Sequence, residues 1–179
     1  MSSIKPASLL ISFLLLIGSL PVFAGAQKQT AAQHDNNQQG VAEMMLAIEG
    51  EMVMIGVDTP AANFLSFSHA PADDAQKRLQ ADTLKALSDY KNFLSMNGAD
   101  CSQVHFNVGS PFQQGATKSP AGFHIGYQLK CKDAAAIKEI TFKLFEAYPG
   151  FEKVHVVWVT ATGQGRDNVT KESAKLTLK

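Results

Sequence analysis

Five histidines and two cysteines are the residues of this chain best suited to hold a metal or a covalent cross-link: His34, His69, His105, His124, His155, Cys101 and Cys131. No two histidines stand at helix-ligand or zinc-finger spacing, so local spacing alone gathers no metal site. His105 and His155 alternate with polar residues in strand-like segments, where an exposed position on a sheet face accounts for them. His34 lies beside Asp35 in a polar stretch. Met44, Met52 and Met54 carry thioethers, which suit copper(I), but at strand spacing they read as core filling. An even cysteine count in an exported chain reads as a Cys101–Cys131 disulfide. Closing that loop of about 30 residues is worth ~3.5 kcal/mol in the chain-entropy model. Two buried thiols, or half of a metal site, are the alternatives; oxidised sulfurs could not serve as thiolate ligands.

Catalytic patterns are missing. The chain has no nucleophile elbow, no serine motif and no paired carboxylates in a constellation. Gly163-Gln164-Gly165 lacks the rest of a nucleotide loop and reads as a turn, and Asn168-Val169-Thr170 is a sequon of a kind common by chance. The expectation is a binding protein, not an enzyme. Lysines and arginines number 16 in 179 residues, matched by 16 aspartates and glutamates. Such a balance offers no electrostatic case for nucleic acid or an anionic membrane.

The N-terminus reads as a secretory signal over residues 1–24. Lys5 supplies the positive start, Leu9 to Leu20 the apolar stretch, and Val22 and Ala24 the small residues of a cleavage site, with a second cut available after Ala26. A bilayer crossing needs ~20 apolar residues and this run is shorter, so a cleaved signal fits better than an anchor. No membrane span is expected after cleavage. The mature chain of about 155 residues is long enough for one domain with a real core. Gln27 to Gln39 is rich in Gln and Asn without hydrophobic period, so residues 25–39 are expected to be a flexible mature N-terminus. Residues 40–179 are expected to form a single domain.

Period-2 patterns dominate that domain. Val41 to Glu49 and Glu51 to Asp58 read as a hairpin turning at Gly50, with Met44, Leu46, Ile48, Met52 and Met54 expected on one face. Pro60 to Pro71 is a compact connector. A helix is expected over about 72–89, with Asp73 and Asp74 in its first turn and a stripe of Leu79, Leu84 and Leu87. Tyr90 to Met96 is read as its last short turn, stopped by Asn97-Gly98. Alternation then marks four strands: Val104, Phe106 and Val108; Phe123, Ile125, Tyr127 and Leu129; Ile140, Phe142 and Leu144; Val154, Val156 and Trp158. Leu176 to Leu178 would add an edge strand. The linker Gly109 to Gly122 is long for a hairpin loop. The sum is an α+β fold, a largely antiparallel β-sheet with one main helix packed on it and one disulfide. One conflict arises within this scheme. Placing Cys101 opposite Cys131 sets Gln103 and His105 on the face of Tyr127 and Leu129, against the alternation. Either Cys101 precedes the regular strand, or a bulge shifts the register, with Gly126 as one place for it.

The ordered motifs resemble the periplasmic ZrgA-type zinc-uptake proteins. They are Gly40-Val41-Ala42-Glu43, Pro60-Ala61-Ala62-Asn63, Phe67-Ser68-His69-Ala70-Pro71, Phe123-His124, Tyr127, Cys131, Leu144 to Phe151, Val156 to Thr160 and Thr162-Gly163-Gln164-Gly165. The resemblance spans nearly all of the mature chain. It implies a periplasmic protein that captures zinc and assists acquisition by an ABC-type importer, with zinc and an importer component as partners. By position it carries over His69, His124 and Glu43 as metal ligands, with His34 as a fourth that could close over. Zinc takes four ligands, or three plus water.

The chain departs from the family pattern in three places. Asn36, Asn37, Gln38 and Gln39 stand where histidines usually precede the Gly-x-Ala-Glu segment. Gly109 to Gly122 holds no His, Asp or Glu where the family carries a long His/Asp-rich insertion. Ser68 stands where an acidic residue usually precedes the histidine. A metal-independent interaction module, a degenerate paralogue with ordinary surface histidines, is therefore the second reading. A small inhibitor of an envelope hydrolase is a third, supported by fold analogy alone.

Overall fold

The computed structural model describes residues 38–109, 111–112 and 122–179. The signal segment, His34 and most of the linker after Gly109 lie outside the described residues. Two long strands come first, β1 (Val41–Glu49) and β2 (Met52–Pro60). They pair antiparallel with Ile48 opposite Val53 and Glu49 opposite Met52, leaving Gly50-Glu51 as a two-residue turn. Gly50 has φ +57°, a conformation that costs a residue without Cβ least. Next come a four-residue helix, α1 (Ala62–Leu65), the main helix α2 (Asp74–Leu87) and a 3-10 turn at Tyr90–Asn92. The strands β3 (Leu94–Asn97), β4 (Cys101–Gly109), β5 (Gly122–Cys131) and β6 (Glu139–Phe142) follow. A short helix α3 (Leu144–Ala147) precedes β7 (Lys153–Val159), β8 (Gln164–Thr170) and β9 (Lys175–Thr177).

The strands make two sheets. The larger has the order β4-β5-β2-β1-β7-β8 and the smaller β3-β6-β9. Every pairing is antiparallel except β1 with β7. The expected α+β class and its largely antiparallel sheet are therefore present. One face of the large sheet is core: Met44, Leu46, Val53, Ile55, Phe123, Tyr127, Val154 and Val156 are each 3% exposed or less. The small sheet contributes Leu94, Ile140, Phe142 and Leu176 to the same core, and α2 contributes Leu87.

The even residues of β1 and the odd residues of β2 are the buried ones, because a two-residue turn pairs even with odd numbers. Met52 and Met54 therefore leave the face expected for them, and Met54 is 40% exposed on the outer side. In α2, Thr83 and Leu87 are buried while Leu79 faces solvent, so the apolar stripe is shorter than expected. Asp73 is the N-cap of this helix, its carboxylate accepting from Gln76 N at 2.8 Å. The segment after Tyr90 does not prolong the helix but forms β3, held by pairing with β6.

The disulfide conflict resolves within β4. Cys101 faces Cys131 directly and the two sulfurs are bonded. The register shifts between Gln103 and His105, so Val104 is the extra residue of a bulge and is 56% exposed. Past it, Phe106 meets Tyr127 and Val108 meets Ile125, as the alternation requires. The bulge is on β4 and not at Gly126, which pairs regularly with Gly56 and Asn107. Gln164-Gly165 belongs to a strand rather than a turn. Only Val169 of β8 is buried, so the segment carries almost no hydrophobic signal. Gly165 is required there, because a Cβ would stand 2.6 Å from the Trp158 ring.

Tyr127 ties the layers together. Its hydroxyl donates to Leu87 O at 2.7 Å, and its ring stacks on Phe106. Burial pushes its hydroxyl well above the ordinary value of 10.0, with smaller contributions from Tyr148 and Asp89. Burial also raises Tyr90 and Tyr148. The unfolded chain ionises these phenols first, so it binds fewer protons than the native state above about pH 10 and stability falls as pH rises further. Urea midpoints measured from pH 8 to 11 should stay level and then decline above pH 10. Tyr127→Phe should flatten that decline while costing about 1–2 kcal/mol at neutral pH, because it leaves the Leu87 carbonyl unsatisfied.

Candidate functional site

The outer face of the large sheet carries a continuous polar row. His124 on β5 pairs with Asp58 on β2, Asp58 with Glu43 on β1, Glu43 with His155 on β7, and His155 with Asn168 on β8. Residues directly opposite on neighbouring strands share a face, and strands lie ~4.8 Å apart. Five consecutive strands thus line up His, Asp, Glu, His and Asn. A shallow depression of about 270 Å³ opens over one end, bordered by Glu43, His155, Arg166 and Asn168.

Glu43 and Asp58 are like charges directly opposite each other, a destabilising arrangement in a sheet. A divalent ion above them would convert that repulsion into attraction. The histidines flank the carboxylates in a suitable way. His124 Nδ1 donates to the Asp58 carboxylate, and His155 Nδ1 donates to Asn168 Oδ1. In His124 the bond engages Nδ1, so Nε2 is the nitrogen that would ligate, the arrangement by which neighbouring oxygens orient metal-binding histidines. The His124 side chain is 74% exposed and that of Asp58 46%, so this surface contact contributes only about 0–1 kcal/mol. Among the described residues, no three His, Cys, Asp or Glu side chains are gathered tightly enough to hold a metal as they stand. The donor set, imidazole nitrogen with carboxylate oxygen, suits zinc. Neighbouring members of the row, ~4.8 Å apart, could share an ion by rotating exposed side chains, whereas His124 and His155 stand three strands apart.

The end of the sheet bearing the row is braced from below. Asn63 in α1 is 3% exposed. Its Oδ1 accepts from Gly40 N at 2.7 Å, and its Nδ2 donates to Val41 O and Thr59 Oγ1, both at 2.9 Å. One amide thereby fixes the start of β1 against the end of β2, one residue from Asp58 and two from Glu43. Gly40 O in turn accepts from Glu152 N and Lys153 N, which aligns β7. Phe64, the next residue of α1, packs edge-on against Phe123, Tyr148 and Phe151 with centroids 4.7–5.3 Å apart. Each such aromatic pair adds about 0.5–1.5 kcal/mol beyond area burial.

Of the residues read from the sequence, His124 and Glu43 enter the row, bridged by Asp58. His69 lies in the connector between α1 and α2, its ring stacked on Phe67 and its Nδ1 2.9 Å from Ala70 O. Phe67 stacks on Phe112, three residues past Gly109, and Gly109 pairs with His124. That chain of contacts sets His69 at the same end of the sheet as the row. His34 lies outside the described residues. Asp58 and His155 were not singled out as ligands, and Asp58 could have been found: the hairpin pattern puts it opposite the first residues of β1. His155 could not, since its neighbour is a parallel strand distant in sequence.

The fold is an α+β domain whose large sheet carries a His/carboxylate row on its open face, over a disulfide-linked core. Residues 36–178 match the family described as ZrgA family zinc uptake protein. The chain belongs to this zinc-uptake family, as its ordered motifs suggested. Among curated proteins, none matches it.

The brace makes a direct prediction. Asn63→Ala removes three hydrogen bonds, two of them buried, and should lower stability by about 2–3 kcal/mol. The check is the urea midpoint, with Ser66→Ala, an exposed position at the end of the same helix, as a control expected to shift little.

Proposed function

We propose that this protein is an exported, periplasmic zinc-binding accessory protein that assists zinc acquisition by an ABC-type importer. The observation that carries this reading is the His124–Asp58–Glu43–His155 row, in which opposed carboxylates call for a cation and two imidazoles flank them. Zinc is cargo here. Glu43 and His124 would hold it across the strand that carries Asp58, with His69 and His34 approaching from the connector and the N-terminal segment. Asp58 would orient His124, ligate, or do both. Ligands on an exposed face suit capture and hand-off, because an ion on an open surface can be withdrawn by a partner. Capture and not catalysis is the proposed role. Zinc-uptake membership supports an envelope location, and the leader pattern of residues 1–24 supports export. Among the described residues no helix is long and apolar enough to cross a membrane.

A metal-independent interaction module is the second reading. It is favoured by the absence, among the described residues, of three donors already gathered.

Native mass spectrometry of the chain without residues 1–24, titrated with zinc against a mild chelator, separates the two. One bound zinc is expected, lost in His124→Ala and in Glu43→Ala. His69→Ala should weaken binding, and Asp58→Asn should weaken it about 10–100-fold if its role is to orient His124. None of these outward-facing changes should lower the metal-free melt appreciably. Acidification should release the ion, because the imidazoles must be deprotonated to ligate. A folded domain that takes up no stoichiometric zinc would favour the interaction module.

A further inference from the structure

Beyond the polar row, the outer face of the large sheet turns apolar. Val157, Met45 and Gly56 stand abreast on β7, β1 and β2, and Val159, Ala47 and Met54 stand abreast in the next row. Met45 is 70% exposed, Val159 47%, Met54 40% and Val157 38%, so no layer of the described residues covers this block. The helix α2 and the small sheet pack on the other face. Polar or charged side chains bound the block on every side: Glu43 and Asp58 in the polar row, Gln128 on β5, Arg166 on β8 and Glu49 beyond Ala47. An apolar centre with a polar rim is the anatomy of a protein interface. Relief within the block is uneven. A Cβ at Gly56 would meet nothing within 4 Å, and Ala47 is nearly as short, whereas Met45 and Val157 project. These side chains bound a depression of about 370 Å³. The neighbouring Gly126 adds no room to it, because the Asn107 amide lies over that glycine.

We propose that this face packs against the same face of a second copy, forming a reversible two-fold dimer that needs no metal. The face is self-complementary. A two-fold axis along β1 lays β2 of each copy over β7 of the other. Val157 of one copy then faces the Gly56 gap of the other, and the symmetry makes this contact twice. Met45 meets its counterpart at the axis, where a flexible thioether adapts to what it touches. At the rim, Asp58 of each copy lies toward His155 of the other. Glu43 meets its counterpart at the same edge, where salt screens the repulsion. The area is sufficient. The β1–β2 and β1–β7 ladders each hold seven residue pairs in a sheet of six strands. At the usual spacings that makes a face of about 23 Å by about 29 Å. Two such faces in contact bury about 1,300 Å², at the low end of what specific interfaces use. Charge does not oppose the pairing either, because 16 lysines and arginines balance 16 aspartates and glutamates. Two copies therefore approach without net repulsion. The polar row forms one edge of the dimer, open to solvent on the side away from the apolar block.

Sedimentation equilibrium of the chain without residues 1–24, in a chelating buffer, tests the dimer apart from any zinc binding. Reversible association with Kd on the order of 10 µM is expected from an interface of this size. Met45→Glu sets two carboxylates face to face at the axis and should weaken association about tenfold or more. Val157→Lys, on the neighbouring strand, should act likewise. Both side chains point to solvent in the monomer, so neither change should lower the melt of the dilute protein appreciably. Met45→Cys should form an intermolecular disulfide under mild oxidation. Leu79→Cys, on α2 and 42% exposed, should not at the same concentration. A protein that stays monomeric up to about 1 mM would overturn the proposal. So would a dimer that neither Met45→Glu nor Val157→Lys weakens, or that Met45→Cys does not cross-link, since its interface would lie elsewhere. Association that appears only when zinc is added would assign the dimer to the metal and overturn it as well.

Discussion

The turn at Gly50-Glu51 sets Ile48 opposite Val53, and the alignment of the polar row is counted from that pair. Because side chains alternate with period 2, a slip of one residue there would turn Val53, Ile55 and Val57 to solvent and bring Met54 and Asp58 inward. Burying an unpartnered carboxylate while exposing three apolar side chains is far too costly, so the hairpin has one acceptable register. β1 then carries this register outward, because it is hydrogen-bonded to β2 on one side and to β7 on the other. The row from His124 to Asn168 is a consequence of that alignment: each member lies on its own strand, and only matched registers bring them abreast.

Elsewhere the fold protects this alignment. Asn63 spends a buried side-chain amide on three backbone or hydroxyl partners at the corner where β1 begins and β2 ends. The Phe64 cluster and the Tyr127 hydroxyl hold the helical layer beneath. The bulge at Val104 reconciles two demands on one edge strand, a cysteine facing Cys131 and a phenylalanine facing Tyr127. The inner face is rigid for reasons of packing, while the outer face has been left to exposed, rotatable groups. That division suits a protein that must take an ion and give it up. A tightly enclosed zinc site would oppose release, whereas a surface row gives up affinity for access.

The outer face is also chemically graded. Opposed carboxylates and imidazoles run along one row, an apolar trough lies along the next two, and a guanidinium stands at the β8 edge. Sheet surfaces facing water usually carry mixed polar residues, so the exposed Met45, Met54, Val157 and Val159 beside Gly56 stand out. The linker Gly109 to Gly122 holds no His, Asp or Glu, so the proposed metal capture would rest on this face.

Much of this was legible from residue order alone. Alternation located β1, β2, β5, β6 and β7, the cysteine count gave the disulfide, and the ordered motifs gave the zinc-uptake family. Glu43 and His124 were recognisable through that resemblance. Tertiary structure decided the rest. Met54 sits outside and Val53 inside because the turn has two residues, a parity that alternation within a single strand cannot report. β8 is a strand because Val154 to Val159 offers it a partner, and its own polar sequence offers no hydrophobic period. His155 joins Glu43 through a parallel pairing across more than a hundred residues, and Asp58 joins His124 across 66. Local pattern is a property of one strand. A metal-type row across five strands is a property of their registers, which turn lengths, a bulge and a buried amide set only once the chain has folded.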